Sequence, residues 1–480
     1  MRTHVRTSCV PFFAAPLCAL AIAACSPAPP PNFLLVTIDT LRPDHTSAYG
    51  YVRDTTPTLR EFATRATRFD AAYAPQGMTA PSHATLFTGL HPLGHRLVDN
   101  GQRFEPHLPV LAERLHSAGY TTAAFVSSYP LKKRFGFARG FDLFDDQFEA
   151  SDGTVEVDRW HNQDIDGAFD RNAAASVDRA IAWLRKPARD ETPFFLWLHL
   201  FEPHSPLTPD PSVRDIFNGQ PLPSHYDAAF APYADLYDAE ILFADRQLGR
   251  LLAEFENSKR ANSTLMVVTA DHGEGLNQHG WWLHGVSVHE SEIRVPLLIR
   301  LPGQTSGRVV ATPTQLADVL PSLGEWLPLG LEDDPIEPAS TSGSSLAALL
   351  REQPTRSTNA ARDLHFFRRH HAPRTIDPTF PIRTNGEPSA PKHITGEEFG
   401  LRRGDWKLIY APEQREAALY NLATDPRELR NIADEHKELT RELIAAATRF
   451  ADRHDHQNAR ERSDLEAEER AALEALGYVE

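Results

Sequence analysis

Phe33-Leu34-Leu35-Val36-Thr37-Ile38, bounded by Pro31 and followed at once by Asp39, is a nearly continuous apolar run of strand length. Apolar side chains at successive positions, without alternation, suit a strand covered on both faces, as in a parallel sheet packed between helices. Runs of the same character recur at Thr121 to Val126, Phe194 to Leu198, Leu265 to Ala270 and Val295 to Ile299. Helical stretches lie between them: Leu108 to Ala118 closed by Gly119, Ala173 to Leu184, and Tyr237, Ile241, Ala244, Leu248 and Leu251 at steps of three and four. Alternating strands and helices predict an α/β fold, a doubly wound and mostly parallel sheet flanked by helices.

The chain has 480 residues, with 65 acidic side chains against 49 lysines and arginines and a formal charge of -16. That length predicts one large domain with a smaller companion. The acidic excess argues against a nucleic-acid partner, which needs a concentrated basic face. An anionic small substrate remains compatible if a metal supplies the local positive charge.

All three cysteines, Cys9, Cys18 and Cys25, lie near the N-terminus. Arg2 and Arg6 precede an apolar run from Val10 to Ala24 that ends in small residues, the layout of a secretory signal. Ile22-Ala23-Ala24-Cys25 resembles a bacterial lipobox. The reading is a signal peptide over 1–24, a lipid anchor at Cys25 and a Pro-rich tether over 25–31. The protein is then expected to be exported and lipid-anchored to the bacterial cell envelope, facing the periplasm or the outer surface. It would have no disulfide within one chain.

Open α/β sheets bind ligands where strands deliver their carboxyl ends. Asp39 is the first charged residue after one buried strand, and Asp271-His272 directly follows another. A lone strand-end aspartate is ordinarily a cap or turn residue. Two such clusters meeting would instead form a centre for one divalent ion. Carboxylate and imidazole suit Mn, Zn or Mg, whereas an all-oxygen set would better suit Ca.

Met78-Thr79-Ala80-Pro81-Ser82-His83-Ala84-Thr85-Leu86-Phe87-Thr88-Gly89 resembles the nucleophile motif of the sulfatase family within the alkaline phosphatase superfamily. That motif runs Cys or Ser, x, Pro, x, Arg, two residues, Leu, x, Thr, Gly. Pro81, Leu86, Thr88 and Gly89 fall on it, while Thr79 occupies the nucleophile position and His83 replaces the arginine. Further stretches carry the resemblance: Ile38 to Asp44, Glu202-Pro203-His204-Ser205-Pro206, Asp271-His272-Gly273-Glu274-Gly275, Arg294-Val295-Pro296 and Gly404 to Ile409.

Pro81 fits the first turn of a helix, where its missing N–H costs nothing. Thr79 then sits at a helix N-terminus, which favours an alkoxide and an incoming anion. The resemblance implies metal ligation by Asp39, Thr79, Asp271 and His272. It also implies substrate contacts from His204 in the Pro-His-x-Pro turn, from His95 after the nucleophile helix and from His284 before the Arg-Val-Pro strand. His279, His289, His370 and His371 read as loop residues.

Sulfatases of this kind convert the Cys or Ser to formylglycine, and threonine is not the usual substrate for that conversion. Relatives with threonine there act on phosphoesters, so the expected activity is metal-dependent hydrolysis of phosphate mono- or diesters. The alternatives are a sulfuric ester hydrolase, a phospho-headgroup transferase and a non-catalytic binding lipoprotein. The catalytic domain is expected over 32–335 and a loop-rich insertion over 336–398. Within that insertion Arg368-Arg369-His370-His371 reads as a solvated loop rather than a basic lid. A small C-terminal subdomain over 399–480 is expected to hold an antiparallel sheet and a helix, with a hairpin turning at Arg403-Gly404-Asp405.

Overall fold

The decisive apolar run forms β1 (Asn32–Ile38), with six of its seven residues buried. The computed structural model describes residues 30–149 apart from 105 and 107, then 159–160, 163–164, 168–186, 192–258 apart from 227–229, 260–331, 343–351, 362–370 and 396–458. The signal peptide, Cys25 and most of the tether lie outside the described residues, as do His371 and the extreme C-terminus.

After β1 come α1 (Pro57–Ala63), β2 (Thr67–Tyr73), α2 (Thr79–Thr88), α3 (Leu111–Ser117), β3 (Thr121–Phe125) and β4 (Leu143–Asp145). Then follow α4 (Ala173–Leu184), β5 (Phe194–Leu200), α5 (Ala231–Glu256), β6 (Thr264–Ala270), β7 (Arg294–Arg300), β8 (Arg308–Val310) and β9 (Thr314–Gln315). The strands form one mixed sheet in the order β8-β2-β7-β6-β1-β5-β3-β4, with β9 beside β2.

At its centre β1 runs parallel to both β5 and β6, each buried along its whole length. β7 is the exception among the runs read from sequence. It is buried as expected, yet runs antiparallel to both β6 and β2. β2 itself escapes the apolar-run test, because its sequence TRFDAAY places Arg68 and Asp70 at half-buried positions.

Register then fixes where the functional residues emerge. Ile38 lies opposite Leu200 on one side and Ala270 on the other, so Asp39 and Asp271 leave adjacent strands at the same level.

A second sheet follows, with β10 (Asp363–His370), β11 (Gly396–Arg403), β12 (Trp406–Ala411) and β13 (Glu416–Asn421) antiparallel in that order, and α6 (Lys437–Asn458) across it. α6 lays Leu443, Ala446 and Ala447 on Leu401, Leu408 and Leu419. The hairpin and the C-terminal helix stand where the sequence placed them, but the sheet begins earlier. Asp363–His370 is an ordered strand, with Leu364, Phe366, Phe367 and Arg368 buried. Arg368 donates to the Val286 carbonyl oxygen and Arg369 pairs with Glu397, so these arginines are neither a solvated loop nor a lid.

The seam between the sheets carries a fully buried cation. Lys407 Nζ lies 3.0 Å from Glu290 Oε1, in the turn before β7, and 2.8 Å from Glu428 Oε1. Removing the partner of buried charge leaves it uncompensated, at a cost of about 3–5 kcal/mol. Lys407→Met should therefore lower the unfolding free energy by about that amount in urea denaturation, and an unchanged midpoint would show that the seam does not depend on this charge.

Candidate active site and metal centre

Every residue of α2 is buried, and the helix ends in the left-handed Gly89, at φ 70°. Its first residue is Thr79, preceded by Met78, whose side chain makes no capping hydrogen bond. One N–H group of this helix start is met from elsewhere in the chain: Ala80 N donates to Asn100 Oδ1 at 2.8 Å. Asn100 carried no motif signal, because its role arises from a loop folding back over the helix start.

Thr79 faces the two strand ends. Its Oγ1 lies 3.4 Å from His272 Nε2. His272 Nδ1–H donates to the Gly273 carbonyl oxygen at 2.9 Å, which leaves the Nε2 lone pair aimed at the carboxylates. From that nitrogen Asp39 Oδ1 is 3.6 Å away, and Asp271 Oδ2 is also 3.6 Å away. Gly273 is required here, because a Cβ would collide with the Ser291 carbonyl oxygen.

All four residues are at most 1% exposed, yet both Asp39 oxygens and Asp271 Oδ2 have no hydrogen-bond partner. Burial and the neighbouring Asp39 charge push the Asp271 carboxyl up to about 7, and burial raises Asp39 as well. Burial holds His272 near 4, so its imidazole is neutral. Orphaned carboxylate oxygens facing a neutral imidazole lone pair are the donor set of a divalent-ion site. The residues fit the ion that the sequence implied.

A family profile described as Sulfatase matches residues 31–329. The chain belongs to the sulfatase family. It is an ester hydrolase of that family. Among curated proteins it is 25% identical to an arylsulfatase of Clostridium perfringens, over 85% of this chain and 92% of that one. It is also 25% identical to a choline-sulfatase of Rhizobium meliloti, over 84% and 82%. Among solved structures it is similar to a protein in complex with its substrate D-glucosamine-2-N,6-O-disulfate (TM-score 0.70, 20% identity, 89% of this chain and 98% of that one). A second such structure is the phosphonate monoester hydrolase of Agrobacterium radiobacter (TM-score 0.67, 21% identity, 88% and 96%).

Two of the three other histidines expected in this sulfatase site gather at it. The His204 ring centroid lies 4.9 Å from that of His284, which lies 4.5 Å from that of His272. His204 Nδ1–H donates to the Ser205 carbonyl oxygen, and His284 Nδ1 lies 3.3 Å from both oxygens of the buried Glu274. Burial lowers His204 to about 4 and raises Glu274 to about 8.

His95 does not join them. It is fully buried, its Nε2–H donates to Thr85 Oγ1 at 3.0 Å, and its Nδ1 accepts from Leu97 N at 3.2 Å. Both ring nitrogens are committed to holding the turn after α2, so His95 is a packing residue.

His83, at the arginine position, is neutral. Its Nδ1–H donates to the Thr79 carbonyl oxygen at 2.8 Å, its Nε2 accepts from Thr37 Oγ1 at 2.9 Å, and burial lowers it to about 3. Nor does Arg42 replace the lost cation, because its guanidinium is bound to Asp44 and to the Glu274 carbonyl oxygen. His199, in β5, carries no motif signal in the sequence, standing between Leu198 and Leu200 just past the apolar run. It places Nε2 at 3.5 Å from Asp39 Oδ2. His279 and His289 stack in a group with Glu428, whose charge Lys407 already matches.

In metal-free protein Asp271 keeps its proton up to about pH 7, whereas an unfolded aspartate loses it near pH ~4. The folded chain binds the extra proton in between, so this residue's contribution to stability falls as pH rises through that window and is level above it. Asp271→Asn removes the dependence. Chelated wild type should lose stability relative to the variant from about pH 4 to 7, and a divalent ion should restore the wild type alone at higher pH. Denaturation midpoints check this, and a gap independent of pH would refute it.

Proposed function

We propose that this sulfatase-family protein hydrolyses phosphate mono- or diesters with Thr79 as the nucleophile, as an exported protein lipid-anchored through Cys25. The single observation that carries the reading is the Thr79 hydroxyl at the start of α2, 3.4 Å from His272 Nε2, beside the unpaired oxygens of Asp39 and Asp271. A cysteine or serine, the formylglycine precursor, is missing from that position.

A divalent ion held by Asp39, Thr79, Asp271 and His272 would lower the hydroxyl pKa and offset negative charge on the transferred group. The protein's own groups do the rest. The α2 N-terminus favours the incoming anion. Thr79 Oγ1 attacks phosphorus, the bond to the leaving oxygen breaks, and the hydroxyl proton passes to that oxygen. His204 carries this proton on Nε2, because its Nδ1–H is turned to the Ser205 carbonyl oxygen, and His284, its ring neighbour, stands against Glu274 at the leaving-group side. Water then attacks phosphorus, Thr79 recovers its proton, and phosphate or a phosphate monoester leaves.

Sulfuric ester hydrolysis is the second reading, favoured by relatives named arylsulfatase and choline-sulfatase. Transfer of a phospho-headgroup to a glycan or lipid acceptor is a variant of the first. Product analysis with and without acceptor separates it from hydrolysis.

Thr79→Ala should reduce turnover of aryl phosphate mono- or diesters by at least about a thousandfold, the scale expected when a covalent nucleophile is lost. Its folding and metal content should stay nearly intact. Turnover at the wild-type rate would overturn the nucleophile assignment. A purified wild type that prefers aryl sulfates, with the Thr79 peptide at its unmodified or altered mass, would move the activity to the second reading.

A further inference from the structure

His199 and His83 have no part in the chemistry just described, yet both are fully buried against the same carboxylates. One ligand atom from each of His83, His199 and Asp271 lies within 4.8 Å of the others. Neither ring nitrogen of His199 has a hydrogen-bond partner, and Asp271 Oδ2 has none. A polar side chain sealed from water is normally satisfied, so an imidazole with two idle nitrogens calls for an occupant.

The carboxylates face both ways. Asp39 turns Oδ1 toward His272, at 3.6 Å, and Oδ2 toward His199, at 3.5 Å. Asp271 Oδ2 stands 3.6 Å from His272 Nε2 and 3.7 Å from His83 Nδ1. The acid pair thus lies between His272, beside Thr79 Oγ1, and two further imidazoles, of which His83 has Trp197 as a ring neighbour.

We propose that His83, His199 and Asp271 hold a second divalent ion, bridged to the first position by Asp271 and flanked by Asp39 Oδ2. Two imidazoles with carboxylate oxygen favour Zn or Mn over Mg or Ca. On binding, His83 changes tautomer: Nδ1 releases the Thr79 carbonyl oxygen to become the ligand, and the proton moves to Nε2, which then donates to Thr37 Oγ1. The second ion supplies the positive charge that neutral His83 does not bring to the arginine position. Paired metal ions sharing ligands are a recurrent way of stabilising charge on a transferred phosphoryl group. The second position shares Asp271 with the first but depends on neither Thr79 chemistry nor any particular ester.

The test is metal stoichiometry on full-length protein, purified without chelator, loaded with Zn or Mn and measured by plasma mass spectrometry. Wild type and Thr79→Ala should each bind two ions, and His199→Ala one. The Mn-loaded wild type should show an exchange-coupled electron paramagnetic resonance spectrum, which His199→Ala converts to that of an isolated ion. One ion in wild type, or two in His199→Ala, overturns the second position. Should His199→Ala fail to fold, His199→Gln keeps the volume with a poorer ligand, and the wild-type count decides alone. The two readings fail separately. A wild type with one ion, retained in His199→Ala and accompanied by Thr79-dependent turnover, leaves the proposed function standing. Two ions with a fully active Thr79→Ala leave only the second position.

Discussion

Asp39 and Asp271 bring two carboxylates into a place without water, side by side, and leave three of their four oxygens without a hydrogen-bond partner. Burying one unpaired charge is expensive, and burying two of the same sign is worse. The rest of the centre follows from that constraint. Adjacent parallel strands in matched register put both acids at one level. The neighbouring imidazoles are held neutral by burial and present lone pairs or N–H groups without adding fixed charge. The N-terminus of α2 supplies partial positive charge without a side chain. None of these fully cancels two carboxylates. A cation does, which is why the charge balance and the ligand geometry agree.

Much of this was legible in the sequence, because a strand buried on both faces writes itself as an unbroken apolar run. β1, β5 and β6 were readable for that reason, and with them the two strand-end acids. Strands covered on one face were less visible. β2 hides behind Arg68 and Asp70, and β10 behind Arg368 and Arg369, although Leu364, Phe366 and Arg368 alternate as a strand should. A buried arginine reads as surface until its carbonyl acceptor is seen. Residue roles that depend on a loop folding back, such as Asn100 on Ala80 and His95 on Thr85, leave no periodicity at all. His199 is a subtler case. It sits in a strand where every neighbour is apolar, and only the register opposite Thr37 reveals that its side chain reaches Asp39.

The exchange of arginine for His83 reaches further than the loss of a charge. The imidazole is locked between the Thr79 carbonyl oxygen and Thr37 Oγ1, and that hydroxyl also accepts from Trp197 Nε1. A chain of hydrogen bonds therefore runs from β5 through β1 to the first turn of α2. Where an arginine would act on an anion directly, this residue holds the backbone that carries the nucleophile, a contact it would give up on becoming a ligand of the proposed second ion.

The C-terminal subdomain belongs to the same mechanical argument. Phe450 of α6 and Phe367 of β10 pack with Leu93 and Val98, in the segment that leaves α2 and returns past its start. Within two residues of Val98, Asn100 holds Ala80 N, and Gln76 Nε2 donates to the Val98 carbonyl oxygen. The segment is thus pinned at one end by apolar packing from the small sheet and at the other by hydrogen bonds on either side of Thr79. An apolar cluster tolerates volume loss poorly but rotation of a single bond well, so it fixes where the segment lies. The amides fix direction, since an N–H to carbonyl bond weakens steeply off axis. Position from one and orientation from the other are both needed to hold a hydroxyl at attack geometry, and neither subdomain supplies them alone.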